Sequence, residues 1–150
     1  MLTLLGLAHF LIESLGSGFW RGLCHRNAEV AAMALSLVGE KAVAEGAVVV
    51  SDAVRLEVIR ECTAIYPVAI LFAAVLAFPS SLRAKVVGLA VCVPIVAIVN
   101  TTRIVSMYYV VRVAPHAFEV VHMVVWQSLI VVITVLLFLA WAGRLPSHAV

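Results

Sequence analysis

The chain has 150 residues, of which 65% are hydrophobic and 12% are charged, and its mean hydropathy is +1.17. A soluble domain averages about 45–50% apolar and about 25% charged residues, so the composition excludes an ordinary soluble protein and predicts one integral membrane domain over residues 1–150. The net charge of +2, without a Lys/Arg-rich block, gives no indication of nucleic acid as a partner. Three cysteines, an odd number, imply no disulfide framework.

The first two predicted elements are helices. Residues 2–20 form a weak span, interrupted by Glu13, that fits either a retained span or a cleaved signal peptide; the lack of a basic start favours the retained span. Residues 27–40 form a helical pattern that is too short and too often interrupted for a span, and they predict an interfacial or half-buried helix. Asn27 is a candidate cap for its start, and Gly39 for its end.

Residues 46–61 follow a different pattern. Val, Leu and Ile alternate with polar residues on both sides of Ser51-Asp52, which predicts a β-hairpin. An isolated hairpin is marginal in water. We therefore expect it to lie against the helices.

Three further segments are long and apolar: residues 62–78, 86–111 and 122–142. A membrane span needs about 20 such residues. Together with residues 2–20 they predict an all-α membrane protein, a bundle of about four spans plus an interfacial helix, with a small extracytoplasmic hairpin.

Basic residues predict the orientation of the spans in a cell (inner) membrane. Arg83 and Lys85 lie between two spans and Arg144 follows the last, which places these segments on the cytoplasmic side. Arg21 and Arg26 fall on the opposite side in this arrangement and weaken the prediction without reversing it.

This arrangement brings three polar side chains to one depth. At about 1.5 Å per residue, Arg103 lies roughly 25 Å from Val86, close to the outer edge of a hydrocarbon core about 30 Å thick. Cys62 begins one predicted span and His122 begins another. A thiol, a guanidinium and an imidazole from three helices are therefore expected near the extracytoplasmic surface.

Each of these residues also has a purely structural interpretation. A membrane cysteine usually acts as a small hydrophobe, an arginine near a span end extends to the headgroups, and a histidine there is an ordinary interfacial residue. An arginine within the membrane nevertheless costs at least about 2.5–3.5 kcal/mol at mid-bilayer and indicates a functional site. Asn100, one turn from Arg103 on the same helix face, either orients the guanidinium or forms a helix contact.

The three residue types together support acyl transfer. A thiolate is a nucleophile, a permanently charged guanidinium stabilises a developing oxyanion, and a histidine carries a proton near neutral pH. A site at the membrane edge suits a substrate that is itself anchored in the membrane.

Three short blocks resemble the signature of the exosortase/archaeosortase family of membrane cysteine proteases and transpeptidases: ECTAI at 61–65, NTTRI at 100–104 and FEVVH at 118–122. The resemblance covers roughly residues 27–142. It implies that Cys62 is the nucleophile, Arg103 the transition-state stabiliser and His122 the acid/base. It also implies exported protein substrates with a C-terminal tail of short motif, apolar span and basic end.

The chain departs from the family at Ala64, where members usually have glycine. Asn100 and four further residues are candidate substrate-binding positions, each with a structural alternative. Glu61 either sets the charge of the histidine or is solvated, and His116 competes with His122 for the acid/base role. Trp126 and Gln127 either line the substrate groove or lie at the membrane interface.

Two other functions compete with catalysis. A non-catalytic small transporter or assembly subunit would use Arg103 to bind an anion or a partner. A zinc site built from Cys24, His25, Cys62 and His116 matches no standard ligand spacing, so no metal and no cofactor are predicted. Membrane lipid is the other expected partner.

Overall fold

The computed structural model describes Gly6 and residues 16–144. Most of the predicted span at 2–20, including Glu13, lies outside the described residues. The described chain forms two compact units. We call residues 16–63 and 98–128 the sheet unit, and residues 64–97 and 129–144 the helical unit.

The sheet unit begins with helix α1, Ser17–Leu37. The helix starts ten residues before the predicted one, so Asn27 lies inside it and the prediction that Asn27 caps it is wrong. The predicted end at Gly39 is confirmed: Gly39 has φ +91°, a conformation that glycine adopts easily. The N–H of Glu40 donates to Leu35 O and the N–H of Gly39 to Ser36 O, both at 3.1 Å, which satisfies the last carbonyls of the helix.

A three-stranded antiparallel sheet follows, in the order β1 (Val43–Glu45), β2 (Val48–Val50) and β3 (Arg55–Glu57). The predicted hairpin is confirmed as β2 and β3, with Val49 opposite Leu56. Strand β1, which pairs Ala44 with Val49, was not predicted.

The sheet packs on α1 because small side chains on the helix let the strands approach. Ala28, Ala31 and Leu35 are fully buried, and the sheet contributes Val49 and Val58 to the same core. Part of helix α3, Leu82–Val113, completes this core with a further set of buried side chains: Ile104, Met107 and Tyr108.

The helical unit contains α2 (Ile65–Ala77), the first half of α3 and helix α5 (Gln127–Ala142) from Leu129 onward. Its core contains Leu71, Val75, Cys92, Val96 and Trp141. The indole N–H of Trp141 donates to Ala84 O at 3.1 Å.

Two helical segments, Leu82–Val113 and Pro115–Ala142, are long and apolar enough to cross a membrane. The predicted spans at 86–111 and 122–142 thus correspond to helices, but a count of four spans does not follow. Helix α2 has only 13 residues, which is about 20 Å of helix. It is shorter than predicted because Arg60–Cys62 form a 3₁₀ turn that precedes the helix.

The segment that begins at Pro115 changes its helical type along its length. A 3₁₀ turn (Pro115–Ala117) leads into α4 (Phe118–Val120), then into a π-helical turn (Val121–Trp126), and then into α5. His122 therefore lies inside a helical segment, and the prediction that it begins a helix is wrong. π-helical turns occur mostly as short insertions and often at functional sites.

Candidate active site

The site belongs wholly to the sheet unit, and it starts at the turn that carries Cys62. The backbone is extended at Ile59 and then closes into the 3₁₀ turn, where the N–H of Cys62 donates to Ile59 O at 2.9 Å. Both the N–H and the hydroxyl of Thr63 donate to Arg60 O, at 2.9 and 2.7 Å. The thiol is thus carried on a turn closed by three hydrogen bonds, rather than on the first residue of a helix.

The structure brings Cys62, Arg103 and His122 into contact. Cys62 Sγ lies 3.3 Å from His122 Nε2, and Arg103 Nη2 lies 3.0 Å from the same nitrogen. All three side chains are buried, with exposed fractions of 8%, 2% and 5%. The side chains that the sequence placed at a common depth therefore form one cluster.

The two contacts at Nε2 define the state of the imidazole. A guanidinium N–H can only donate, so His122 Nε2 carries a lone pair and no proton in this arrangement. A ring nitrogen has a single in-plane lone pair. The thiol of Cys62 and the guanidinium of Arg103 therefore compete for one acceptor.

Asn100 connects the nucleophile turn to the rest of the unit. Its side-chain amide donates to Cys62 O at 2.9 Å and to Asn27 Oδ1 at 3.1 Å. Asn27 in turn donates to Leu23 O at 2.9 Å. The amide of Asn100 thus fixes the backbone of the nucleophile, and through Asn27 it also makes the helix contact that was one of the two predicted roles.

Arg103 is a buried cation without a carboxylate partner among the described residues. Its Nε lies in the interior and lacks a hydrogen-bond partner within the same part of the chain. Burial of an unpaired charge is costly. Such a group is suited to meet a negative charge that appears only during a reaction.

A small crevice opens beside the three residues. Its cavity is about 10 Å³, room for roughly one water molecule. Besides the three polar residues it is lined by the end of β3 and by apolar side chains of α3 and α4: Leu56, Glu57, Val58, Ile104, Met107 and Phe118. The crevice is large enough for one carbonyl group of a substrate and too small to enclose a whole ligand molecule.

Burial raises the pKa of the Cys62 thiol above its ordinary value, because the interior disfavours the thiolate. A backbone hydrogen bond at Ile59 and the charge of Arg103 act in the opposite direction and lower the pKa, but do not cancel the effect of burial. At rest the sulfur therefore keeps its proton.

The other four predicted site residues lie on the same chain segments as Cys62 and His122. Glu61 is exposed in the turn next to Cys62, and His116 is exposed in the 3₁₀ turn before α4. Trp126 is half-buried against the core of the sheet unit, and Gln127 is exposed at the start of α5. None of these four lines the crevice, and their predicted roles in substrate binding remain predictions.

Two residues of the site were not predicted from the sequence. Phe118 stacks on the imidazole of His122, with ring centroids 5.4 Å apart and planes within 7°. Its position four residues before His122 on a helical segment was an available signal. Asn27 gave no such signal, because its partner Asn100 is 73 residues away in the chain.

The described residues contain no group of three or more His, Cys, Asp or Glu side chains placed to hold an ion.

Ala64, which replaces the family's glycine, has φ −80°, a conformation open to any L-residue. The substitution therefore introduces no backbone strain beside the nucleophile.

The sequence pattern of the transmembrane exosortase family matches residues 2–141. The chain therefore belongs to this family of membrane proteins, whose members act in general as cysteine transpeptidases. No curated protein sequence and no solved structure matches the chain.

Proposed function

We propose that this protein is a cysteine transpeptidase that cleaves the C-terminal sorting tail of exported, membrane-anchored proteins through a thioester at Cys62. The observation that carries the proposal is the contact of Cys62 Sγ with His122 Nε2 beside the buried cation of Arg103. Family membership supports the same class of reaction.

The reaction begins when a substrate carbonyl enters the crevice. The carbonyl oxygen gives Arg103 a new acceptor, so the guanidinium releases the lone pair of His122. The Cys62 proton then passes to Nε2, and the sulfur attacks the carbonyl carbon. Arg103 stabilises the oxyanion of the tetrahedral intermediate that results.

The intermediate collapses when the C–N bond breaks. His122 returns the proton to the departing amine, which leaves with the tail, and the acyl group remains on Cys62 as a thioester. An amine, a hydroxyl group or water then attacks the thioester and gives its proton to His122. The C–S bond breaks and the thiol is restored.

The substrate class follows from the setting of the site. Arg103 and His122 lie within the two apolar helical segments that are long enough to span a membrane, and an enzyme in the membrane meets anchored substrates at high local concentration. We infer that the substrates are exported proteins whose tail has a short motif, one apolar span and a basic end, and that the site works at the extracytoplasmic face.

The proposal is tested by co-expression with host proteins that carry such a tail. Cys62→Ala and Cys62→Ser should each abolish processing. Arg103→Lys should lower it by about 100-fold or more, because a point charge does not replace the planar guanidinium. Cys92→Ser, in the helical unit, is the matched control and should process at the parental rate. A tail-truncated substrate bound to Cys62 and released by hydroxylamine would identify the thioester.

The outcome that contradicts the proposal is a Cys62→Ser variant that processes substrate at the parental rate. If cysteine substitutions change nothing and loss of charge at position 103 abolishes a transport or binding activity, the non-catalytic anion-binding alternative is correct.

A further inference from the structure

Strand β3 has a free edge, and the hydrogen-bond register shows which of its residues face it. The N–H of Val58 donates to Ala47 O at 2.8 Å and the N–H of Ser51 to Val54 O at 2.9 Å. In an antiparallel pair, hydrogen-bonded positions alternate with positions that point away. The backbone N–H and C=O of Leu56 therefore point towards Val49 on β2.

The alternation turns the backbone N–H and C=O groups of Arg55 and Glu57 away from β2. In the part of the chain that the structure describes, these four groups have no hydrogen-bond partner. Both residues are exposed. An open edge of this kind is a template for another strand.

The free edge leads directly to the nucleophile. Glu57 and Val58 line the crevice together with Cys62 and His122. The same two residues also line a larger open groove of about 360 Å³, which continues over Ile59, Arg60 and Glu61 towards α1. One stretch of backbone thus borders both the reacting atoms and a space large enough for side chains.

We propose that the substrate binds as an additional strand along the edge formed by Arg55–Glu57, which delivers its scissile carbonyl to the crevice at Cys62. The inference rests on the proposed function and adds to it the conformation and the docking site of the substrate. Donors and acceptors that repeat every second residue match an extended polypeptide backbone; a lipid or a folded helix offers no such repeat.

The groove beyond the edge gives this mode its selectivity. It is floored by Trp20 and Cys24 of α1, and the guanidinium of Arg60 lies 4.8 Å from the Trp20 ring centre. Arg21 and Glu61 also line it. Main-chain pairing holds the peptide, and this partly apolar groove receives substrate side chains next to the cleaved bond.

The test removes one edge donor without disturbing the ladder. Glu57→Pro deletes an N–H that points away from β2, and proline is tolerated at strand edges. Glu57→Ala keeps the N–H and is the reference for loss of the side chain. We expect kcat/KM for a tail-bearing host protein to be about three- to tenfold lower for Glu57→Pro than for Glu57→Ala.

Ala44→Pro is the matched control. By the same register, the backbone N–H and C=O of Ala44 point away from β2 at the opposite edge of the sheet. This variant should therefore process substrate at the parental rate. Equal kcat/KM for Glu57→Pro and Glu57→Ala, at equal thermal stability in detergent, overturns strand addition.

A second measurement decides the question if Glu57→Pro does not fold. A synthetic peptide that spans the cleaved bond is N-methylated at one residue at a time and offered to the parental enzyme. Losses at alternate residues support pairing with an edge; uniform losses or none overturn it. If no host protein is processed in a Cys62-dependent way, the proposed function itself fails, and this inference with it.

Discussion

The thiol of Cys62 is expected to be a poor nucleophile at rest. Burial raises its pKa, so alkylation of Cys62 by iodoacetamide should be slow at pH 7 and should rise through a midpoint above the ordinary thiol value of about 8.5. Arg103→Gln should move the midpoint further up, because the lost cation lowers the pKa in the parental protein. Mass spectrometry of the Cys62 peptide against pH measures this directly.

The same pKa has a consequence for stability. Because it is higher in the folded chain than in the unfolded chain, its contribution to the free energy of unfolding is complete below the ordinary thiol value. That contribution is lost as the pH rises through the folded-state value. If the pH midpoint of the alkylation lay below the ordinary pKa of a thiol, a thiolate–imidazolium pair would exist at rest, contrary to the contacts at His122 Nε2.

Sequence patterns identified the residues of the site better than the hydrogen bonds that join them. Cys62, Arg103 and His122 were predicted to meet because polar groups at span ends stand out against apolar segments. The polar role of Asn100 was also visible, since it lies one turn from Arg103. Its pairing with Asn27 was not visible, because the interaction joins two helices and neither local spacing nor hydropathy encodes it.

At the scale of elements, the close packing of α3 and α5 within the helical unit depends on Gly88. A Cβ at this position would collide with the indole of Trp141. We expect Gly88→Ala to lower the free energy of unfolding by about 1–3 kcal/mol, the usual cost of overpacking. Thermal unfolding in detergent measures the loss.

Gly22→Ala is the matched control for this substitution. Gly22 lies inside α1, and an added Cβ there meets nothing within 4 Å. Alanine should stabilise the helix by about 0.4–1 kcal/mol. If both variants shift the melting temperature in the same direction and by the same amount, steric contact with Trp141 is not what requires glycine at position 88.

Elements were predictable where a periodic pattern is long. The two long helical segments and the β2–β3 hairpin follow from hydropathy and from alternation. Strand β1 has three residues, like β2 and β3, but it lies before the alternating stretch at 46–61 and depends on pairing with β2. The π-helical turn changes the register of one helix by less than a turn and leaves no mark on hydropathy, so the position of His122 within a helix could not be predicted.

At the scale of the whole molecule, the orientation in the membrane is still a prediction. Helix α3 is long enough to span the bilayer, and Arg83 and Lys85 lie at its first turn. Under the positive-inside rule, the thiol of a Ser81→Cys variant should be protected from a membrane-impermeant maleimide in intact cells. The thiol of an Ala114→Cys variant, just beyond the other end of α3, should be labelled.

Cell lysis provides the control for this experiment, because both engineered cysteines should then react equally. The label is read in a background where the three native cysteines are replaced, and expression level serves as the reference. Labelling at Ser81 and protection at Ala114 in intact cells would reverse the proposed topology and place the site at the cytoplasmic face.

The competition of the Cys62 thiol and the Arg103 guanidinium for His122 Nε2 has a consequence for inhibitor design. A small alkylating agent has no peptide backbone that would hold an oxygen against Arg103, so it leaves the imidazole hydrogen-bonded to the guanidinium and the thiol unreactive. A peptidyl aldehyde or ketone carries an oxygen that relieves this occupancy and can be attacked in the same event. Effective covalent inhibitors of this protein should therefore resemble its peptide substrate, and general thiol reagents should inhibit it poorly.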